Sequence, residues 1–125
     1  MAYSLISNKK NLAVTLHVAS ANVNLAIAGN TSQSNVAISN ETLTGAAITQ
    51  IFWGTDSGAV RIYRGSNVVI TCTQTGHMDF AASGMSLTKD QGANLVVNFD
   101  SANGFALIEL QKVVVPTSNS EYFQN

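Results

Sequence analysis

His77 and Asp79 are the residues of this sequence best spaced for acid–base chemistry. They stand two positions apart, and residues i and i+2 of a β-strand point to the same face. A histidine oriented by a carboxylate can activate a serine hydroxyl as a nucleophile. No Gly-x-Ser-x-Gly or comparable elbow singles out one of the 13 serines. A small hydrolase is therefore the weakest of three functional hypotheses, and we expect a protein without catalytic activity.

The sequence lacks the residues that a metal site or a phosphate site would require. His17 has no ligand-type residue at i±2, and His77 with Asp79 supplies only two ligands, whereas a structural zinc site uses four. No glycine-rich phosphate loop is present. Cys72 falls on the same face of its predicted strand as Val68 and Ile70 and is expected to be a small buried side chain. We therefore expect neither a metal nor a cofactor.

Aromatic residues next to polar groups provide the second hypothesis, a carbohydrate-binding module. Trp53 precedes Gly54-Thr-Asp56, and Tyr63 lies between Arg61 and Arg64. Either ring could serve as a stacking platform for a sugar if it is exposed. The competing interpretation places Trp53 in the core or in an interface, because it belongs to an apolar strand. In a regular strand the two arginines face opposite sides, and both are candidates for charge-assisted hydrogen bonds at an interface.

The composition describes one domain with an unusually neutral surface. The chain has 125 residues, of which only 10% are charged, and its net charge is −1. Neutral polar residues are abundant instead, since Asn, Ser, Thr and Gln make up 43 of the 125. Six scattered Lys and Arg residues argue against a nucleic-acid binder, which needs a basic face. No run of about 20 apolar residues predicts a membrane span. The first ten residues lack the pattern of a signal peptide, so we expect folding in a cytosol.

Alternating apolar and polar residues predict β-strands along most of the chain. The clearest segments are separated by Gly-, Asn- and Ser-rich turns, and no segment shows the spacing of an amphipathic helix. Nine candidate strands result: 12–18, 22–27, 33–39, 47–53, 59–64, 68–73, 77–80, 95–99 and 105–113.

This spacing predicts an all-β fold. The expected form is an antiparallel β-sandwich of about eight or nine strands, with a jelly roll as the first candidate and a small barrel as the alternative. Residues 1–10 form an expected N-terminal arm, residues 11–113 the sandwich, and residues 114–125 a polar C-terminal tail. Aromatic side chains make efficient anchors, so either arm is expected to order on a neighbouring subunit.

As a whole, the sequence resembles small virion proteins of tailed bacteriophages, in particular those of marine cyanobacterial phages. The resemblance covers about residues 2–113. Four segments carry it: Asn11–Val18, Leu43–Gly54, Val60–Asn67 and Leu107–Lys112. It is a likeness of the overall sequence pattern and includes no catalytic motif.

The resemblance implies a capsid decoration (cement) protein, which is the first functional hypothesis. Such a protein binds the outer surface of the shell, commonly as a trimer, and stabilises it without catalysis. The implied partners are the major capsid protein and further copies of the chain, with no nucleic acid and no membrane. The expected location is the virion, after synthesis in the host cytoplasm. The candidate interface residues are Tyr3, Trp53, Arg61, Tyr63, Arg64, Tyr122 and Phe123.

Overall fold

The structure, a computed structural model, describes residues 3–19, 21–80, 92–100 and 103–114. These ranges contain no helix, and their strands are antiparallel throughout. The seven strands are β1 (Tyr3–Asn8), β2 (Ala13–Ala19), β3 (Val23–Leu25), β4 (Leu43–Arg64), β5 (Asn67–Asp79), β6 (Leu95–Asp100) and β7 (Gly104–Val114).

All seven strands belong to one curled sheet that is organised around β4. Nearly the whole length of β5 pairs with one edge of β4. On the other edge, β7 pairs with the first half of β4 and β6 pairs with the second half. The sheet thus has two parts. The first wing contains β1, β2, β7, the first half of β4 and the second half of β5. The second wing contains β3, β6, the second half of β4 and the first half of β5.

A bend between the wings occurs where the register of β4 shifts, between Gly54 and Ala59. On the partner strand Gln74 adopts a positive φ of 61° at this place. Asp56 fastens the bend to the β6–β7 connection, because its carboxylate accepts hydrogen bonds from the backbone N–H of Asn103 (2.9 Å) and from its side-chain Nδ2 (3.3 Å). The backbone N–H of Asp56 donates to the carbonyl of Asn103 in return, at 3.0 Å.

The core lies between the two wings. Its buried side chains alternate with outward-facing ones along each strand, as period-2 packing requires. In the first wing they include Val14, Leu16, Ile51 and Ile108, and in the second wing Leu25, Ile62, Leu95 and Val97. All of these belong to a single apolar cluster, so the bend brings both wings against the same core.

Two buried cations tie irregular segments to this core. Lys112 on β7 forms an ion pair with Glu41, which lies in the segment between β3 and β4, and neither side chain is exposed. Arg64, at the end of β4, is 1% exposed. Its guanidinium donates to the carbonyl of Ala46 at 2.6 Å and to the carbonyl of Ala93 at 3.0 Å. Buried charges of this kind require such partners.

The predicted all-β, antiparallel class is confirmed, while the number and layout of the strands differ from the expectation. The described residues form seven strands in one curled, half-barrel-like sheet, where about eight or nine in a sandwich were expected. Predicted strands 47–53 and 59–64 are continuous in β4, and 68–73 and 77–80 are continuous in β5. The segment between the first pair, residues 54–58, is continuous with β4 but contains the register shift, and Gly58 within it has a positive φ of 73°.

The remaining differences concern two segments near the N-terminal half. Residues 3–8, within the predicted arm, form β1 and pair with β2. Residues 33–39, a predicted strand, are irregular. Three of their backbone N–H groups bind side chains: those of Val36 and Ala37 donate to Ser34 Oγ, and that of Ile38 donates to Glu41 Oε1. Side-chain acceptors of this kind compete with strand pairing.

Candidate functional site

The sequence-predicted interface residues that the structure describes are spread over the sheet and do not converge. Tyr3 on β1 is half-buried and packs against the core cluster. Arg61 and Tyr63 are half-buried on the outward side of β4, whereas Arg64 points inward, as the alternation of a regular strand predicts. The buried guanidinium of Arg64 therefore contacts carbonyls of its own chain. Tyr122 and Phe123 lie outside the described residues, as does most of the predicted C-terminal tail.

The ring of Trp53 is held against the neighbouring strand. Its Nε1–H donates to the carbonyl of Thr73 at 2.9 Å. The opposite residue on β5 is Gly76, and a Cβ added there would lie 2.3 Å from Trp53 Cζ2. The indole thus rests on the β5 backbone where Gly76 has no side chain. Its half-buried ring has one face covered and its N–H already bonded, which leaves little of it for stacking on a sugar.

Replacing Gly76 with alanine is expected to displace the indole and to lower the free energy of unfolding by about 1–3 kcal/mol, because the new methyl group overpacks the contact. Trp53 is the single tryptophan, so intrinsic fluorescence reports on this ring alone. We expect a red-shifted emission maximum together with a lower urea midpoint. Thr75→Ser, one position earlier on β5, serves as the control. Unchanged emission in Gly76→Ala would contradict the described packing.

His77 and Asp79 do not form a catalytic arrangement in the described structure. Both are exposed on β5, and no hydrogen bond joins them among the described residues. The imidazole of His77 stacks on Phe52, with ring centroids 3.8 Å apart and planes at 12°, and its Nε2 lies 3.1 Å from Gln50 Oε1. No serine contacts this imidazole among the described residues. The geometry therefore offers no support for the hydrolase hypothesis.

The remaining chemistry-bearing residues have structural surroundings. His17 stacks on Phe105, with ring centroids 6.1 Å apart. Cys72 is buried, and burial raises the pKa of its thiol to about 11, so it is protonated and poorly nucleophilic at neutral pH. Within the described ranges, no three His, Cys, Asp or Glu residues are grouped so that they could hold a metal ion.

The outward side of the first wing carries the most distinctive surface of the described structure. Strand pairing aligns five side chains in one row across five strands: Ser4, His17, Leu107, Phe52 and His77. A second row places Thr15 beside Glu109 and Glu109 beside Gln50. The members of these rows on β2, β4 and β7 alternate with core residues on their own strands, so both rows face away from the core.

A shallow depression lies in the middle of these rows. It is lined by Thr15, Gln50, Phe52, Leu107 and Glu109, which together are called the outer platform below. Phe52 is 40% exposed. His77 covers its ring on the β5 side, and the ring lines the depression on the β7 side. A second depression, lined by Leu12, Ala13, Thr49, Glu109 and Gln111, adjoins the first through Glu109.

Glu109 is the one charged residue of the outer platform, and its carboxylate is held in position. Oε1 accepts hydrogen bonds from Thr49 Oγ1 at 2.7 Å and from Gln50 Nε2 at 3.1 Å. Among the described residues, Oε2 accepts no hydrogen bond and no cation pairs with the carboxylate. The group is half-buried on an otherwise aromatic and aliphatic surface. This arrangement can receive a cation or a hydrogen-bond donor.

Sequence analysis did not identify the outer platform. Residues 47–53 are apolar on both sides, which hid the outward position of Phe52. A signal existed in β7, where Phe105, Leu107 and Glu109 alternate with Ala106, Ile108 and Leu110. That alternation places Glu109 opposite the core. It does not reveal which side chains of other strands lie beside it, because register depends on pairing between distant segments.

Comparisons of the chain with protein-family models, with curated proteins and with solved structures found no match. In the part of the chain that the structure describes, no helix is long and apolar enough to cross a membrane.

Proposed function

We propose that this chain is a structural virion protein that binds the outer surface of a phage capsid and stabilises it, acting by contact alone. The outward face of the first wing is the observation that carries this proposal. Phe52 and Phe105 are 40% and 38% exposed on neighbouring strands, and Leu107 lies opposite Phe52 and two positions from Phe105 on the same strand. A contiguous exposed patch of this kind marks an interaction surface more often than a free one.

The composition of this face suits a protein partner. Aromatic residues are enriched at protein interfaces, and charged residues are depleted at their centres. The outer platform follows this pattern, since it combines Phe52 and Leu107 with the neutral polar residues Thr15 and Gln50 and a single carboxylate. A low overall charge also keeps repulsion between neighbouring subunits weak.

The scaffold behind this face suits a protein that must resist deformation. One apolar cluster joins both wings, and the contacts of Asp56, Arg64 and Lys112 fix the bend and the segments around it. We further propose that the wings pack as the two layers of a β-sandwich, because their inward side chains meet in that cluster. Many modest contacts per copy become strong attachment when copies are numerous and linked in a shell.

The proposed partners are the major capsid protein and other copies of this chain, in a closed symmetric oligomer such as a homotrimer. Two features support the second partner. Among the described residues β1 pairs only with β2, which leaves an edge strand for a neighbour, and Tyr3 lies on this strand. Edge strands are natural places for a second chain to pair.

The experiment that tests the proposal measures the mass of the purified protein by light scattering, alone and with expanded capsids from the same source. We expect a stable oligomer that co-sediments with the capsids at a saturable ratio. Bovine serum albumin provides the control for trapping in the pellet. A monomer that does not co-sediment with capsids would contradict the proposal. It would favour the carbohydrate-binding alternative, for which Trp53→Ala and Tyr63→Ala variants would then be screened against glycans.

A further inference from the structure

We propose that a basic side chain of the capsid shell protein inserts into the outer platform and pairs with Glu109. This inference rests on the proposed function, and it names the chemistry of the partner at that surface. The described residues provide an oriented carboxylate with one bonded oxygen and one oxygen that accepts no hydrogen bond.

Charge complementarity selects a cation as the occupant. Any protein that covers the platform removes the remaining water from Glu109. Desolvation of an unpaired carboxylate is costly, and it is compensated only when the partner supplies a cation or equivalent donors at that point. No Lys or Arg of the described residues pairs with this carboxylate, and a basic side chain of the partner would supply the counter-charge.

The walls of the depression suit the stem of a long basic side chain. Lysine and arginine carry an apolar stem and a charged end, and they bury the stem along apolar surface. Here the free side of the Phe52 ring and the Leu107 side chain line the same depression as Glu109. An arginine could in addition place its guanidinium against the Phe52 ring, an arrangement stabilised by cation–π attraction. Both depressions share Glu109, so the carboxylate lies in the middle of the surface that a partner would cover.

The test compares the capsid affinity of the wild-type protein with that of Glu109→Gln, by co-sedimentation at two salt concentrations. Glutamine keeps the size of the side chain and one oxygen that can accept the hydrogen bonds from Thr49 and Gln50, and it removes the charge. We expect about tenfold weaker binding or more, since the loss of one partner of a desolvated charge pair has effects of this size. We also expect the remaining binding to depend less on salt than wild-type binding does.

Asp79→Asn is the matched control. It removes the same charge from the same wing, on β5, and lies outside both depressions. We expect its affinity to stay within twofold of wild type. Thermal unfolding of each variant checks that the fold is retained, so weaker binding of a folded Glu109→Gln protein reports the contact itself.

The outcomes separate this inference from the proposed function. If wild-type protein does not bind capsids, the proposed function fails and the inference fails with it. If wild type binds and Glu109→Gln binds equally well with the same salt dependence, only the inference is overturned. It is also overturned if Glu109→Gln dissociates the oligomer in the absence of capsids, because the cation then belongs to a second copy of this chain.

Discussion

Replacing Lys112 with methionine is expected to lower the free energy of unfolding by about 3–5 kcal/mol, the usual cost of leaving one member of a buried ion pair without its partner. The Lys112 Nζ donates to Glu41 Oε1 at 2.8 Å and to Oε2 at 3.1 Å. Methionine fills similar space but removes the positive charge. The carboxylate of Glu41 is then enclosed without a counter-ion.

The effect is large because Glu41 holds three parts of the chain together. Besides Lys112 on β7, its carboxylate accepts hydrogen bonds from the backbone N–H of Asn11, in the turn between β1 and β2, and from that of Ile38. When the carboxylate is protonated or moves towards water, all three contacts weaken together. The loss is a substantial part of the roughly 5–15 kcal/mol that stabilises a typical domain.

Urea unfolding followed by Trp53 fluorescence measures this loss. Lys10→Met is the matched control, since Lys10 is exposed and the charge change is identical. We expect a change within about 0.5 kcal/mol for the control, as for most surface substitutions. The double variant Glu41→Gln with Lys112→Met should be more stable than Lys112→Met alone, because no uncompensated charge remains. Equal losses in Lys112→Met and Lys10→Met would contradict the buried pair.

The pH dependence of the stability of the wild type and of the single variant Glu41→Gln provides a further readout. Burial by itself raises the pKa of Glu41, but the hydrogen bond from Asn11, the contact with Lys112 and the hydrogen bond from Ile38 outweigh it, and the pKa lies below its ordinary value. A carboxylate with a lowered pKa stabilises the folded state above its unfolded-state pKa, and this contribution is lost as the pH falls through the folded-state pKa. Glu41→Gln should therefore lose stability less steeply in acid than wild type.

Replacing Gly104 with alanine is expected to lower the free energy of unfolding by about 2–4 kcal/mol, through backbone strain combined with overpacking. Gly104 begins β7 next to the bend and has a φ of 153°, a value that L-residues rarely adopt. A Cβ at this position would lie 1.9 Å from the carbonyl oxygen of Gly54 and 2.9 Å from the Cα of Thr55. Both neighbours are backbone atoms of β4, so the clash is relieved only if the two strands separate.

Gly54→Ala is the control at the same bend. The three atoms nearest to its added Cβ all belong to the Phe105 ring, with Cε1 at 2.8 Å, and that residue is 38% exposed, so its ring can rotate. Thermal unfolding should show a clearly smaller decrease for Gly54→Ala than for Gly104→Ala. Equal midpoints for the two variants would contradict the close approach of β7 to β4 at this place.

Much of the strand content follows from the sequence because period-2 alternation is a local property. Predicted strands 12–18, 95–99 and 105–113 agree with β2, β6 and β7 to within one residue at each end. In each of these strands alternate residues enter the core, and a sequence shows that pattern directly. The opposite orientation of Arg61 and Arg64 follows from the same rule. Cys72 is buried as expected, but Val68, predicted on the same face, is 51% exposed because the pairing register shifts between Val68 and Ile70.

Strand continuity and the bend were decided by tertiary structure. Residues 54–58 carry the glycine and polar residues of a turn, yet they remain in β4, where Thr55 pairs with Gly104 and Asp56 exchanges hydrogen bonds with Asn103. Residues 33–39 have a weak strand pattern, but Ser34 and Glu41 bind their backbone N–H groups. These outcomes depend on contacts with other residues of the chain, which the local sequence pattern does not predict.

The outer platform shows most clearly which features the sequence determines and which the tertiary structure determines. Alternation in β7 places Glu109 away from the core, and this much the sequence determines by itself. The sequence does not show that Gln50, 59 positions away, would hold the carboxylate, or that Phe52 and Thr15 would stand beside it. Those neighbours are set by the register of three strands from distant parts of the chain. Register is decided by the packing of the whole core, since a slip of one residue would turn every inward side chain of a strand outward.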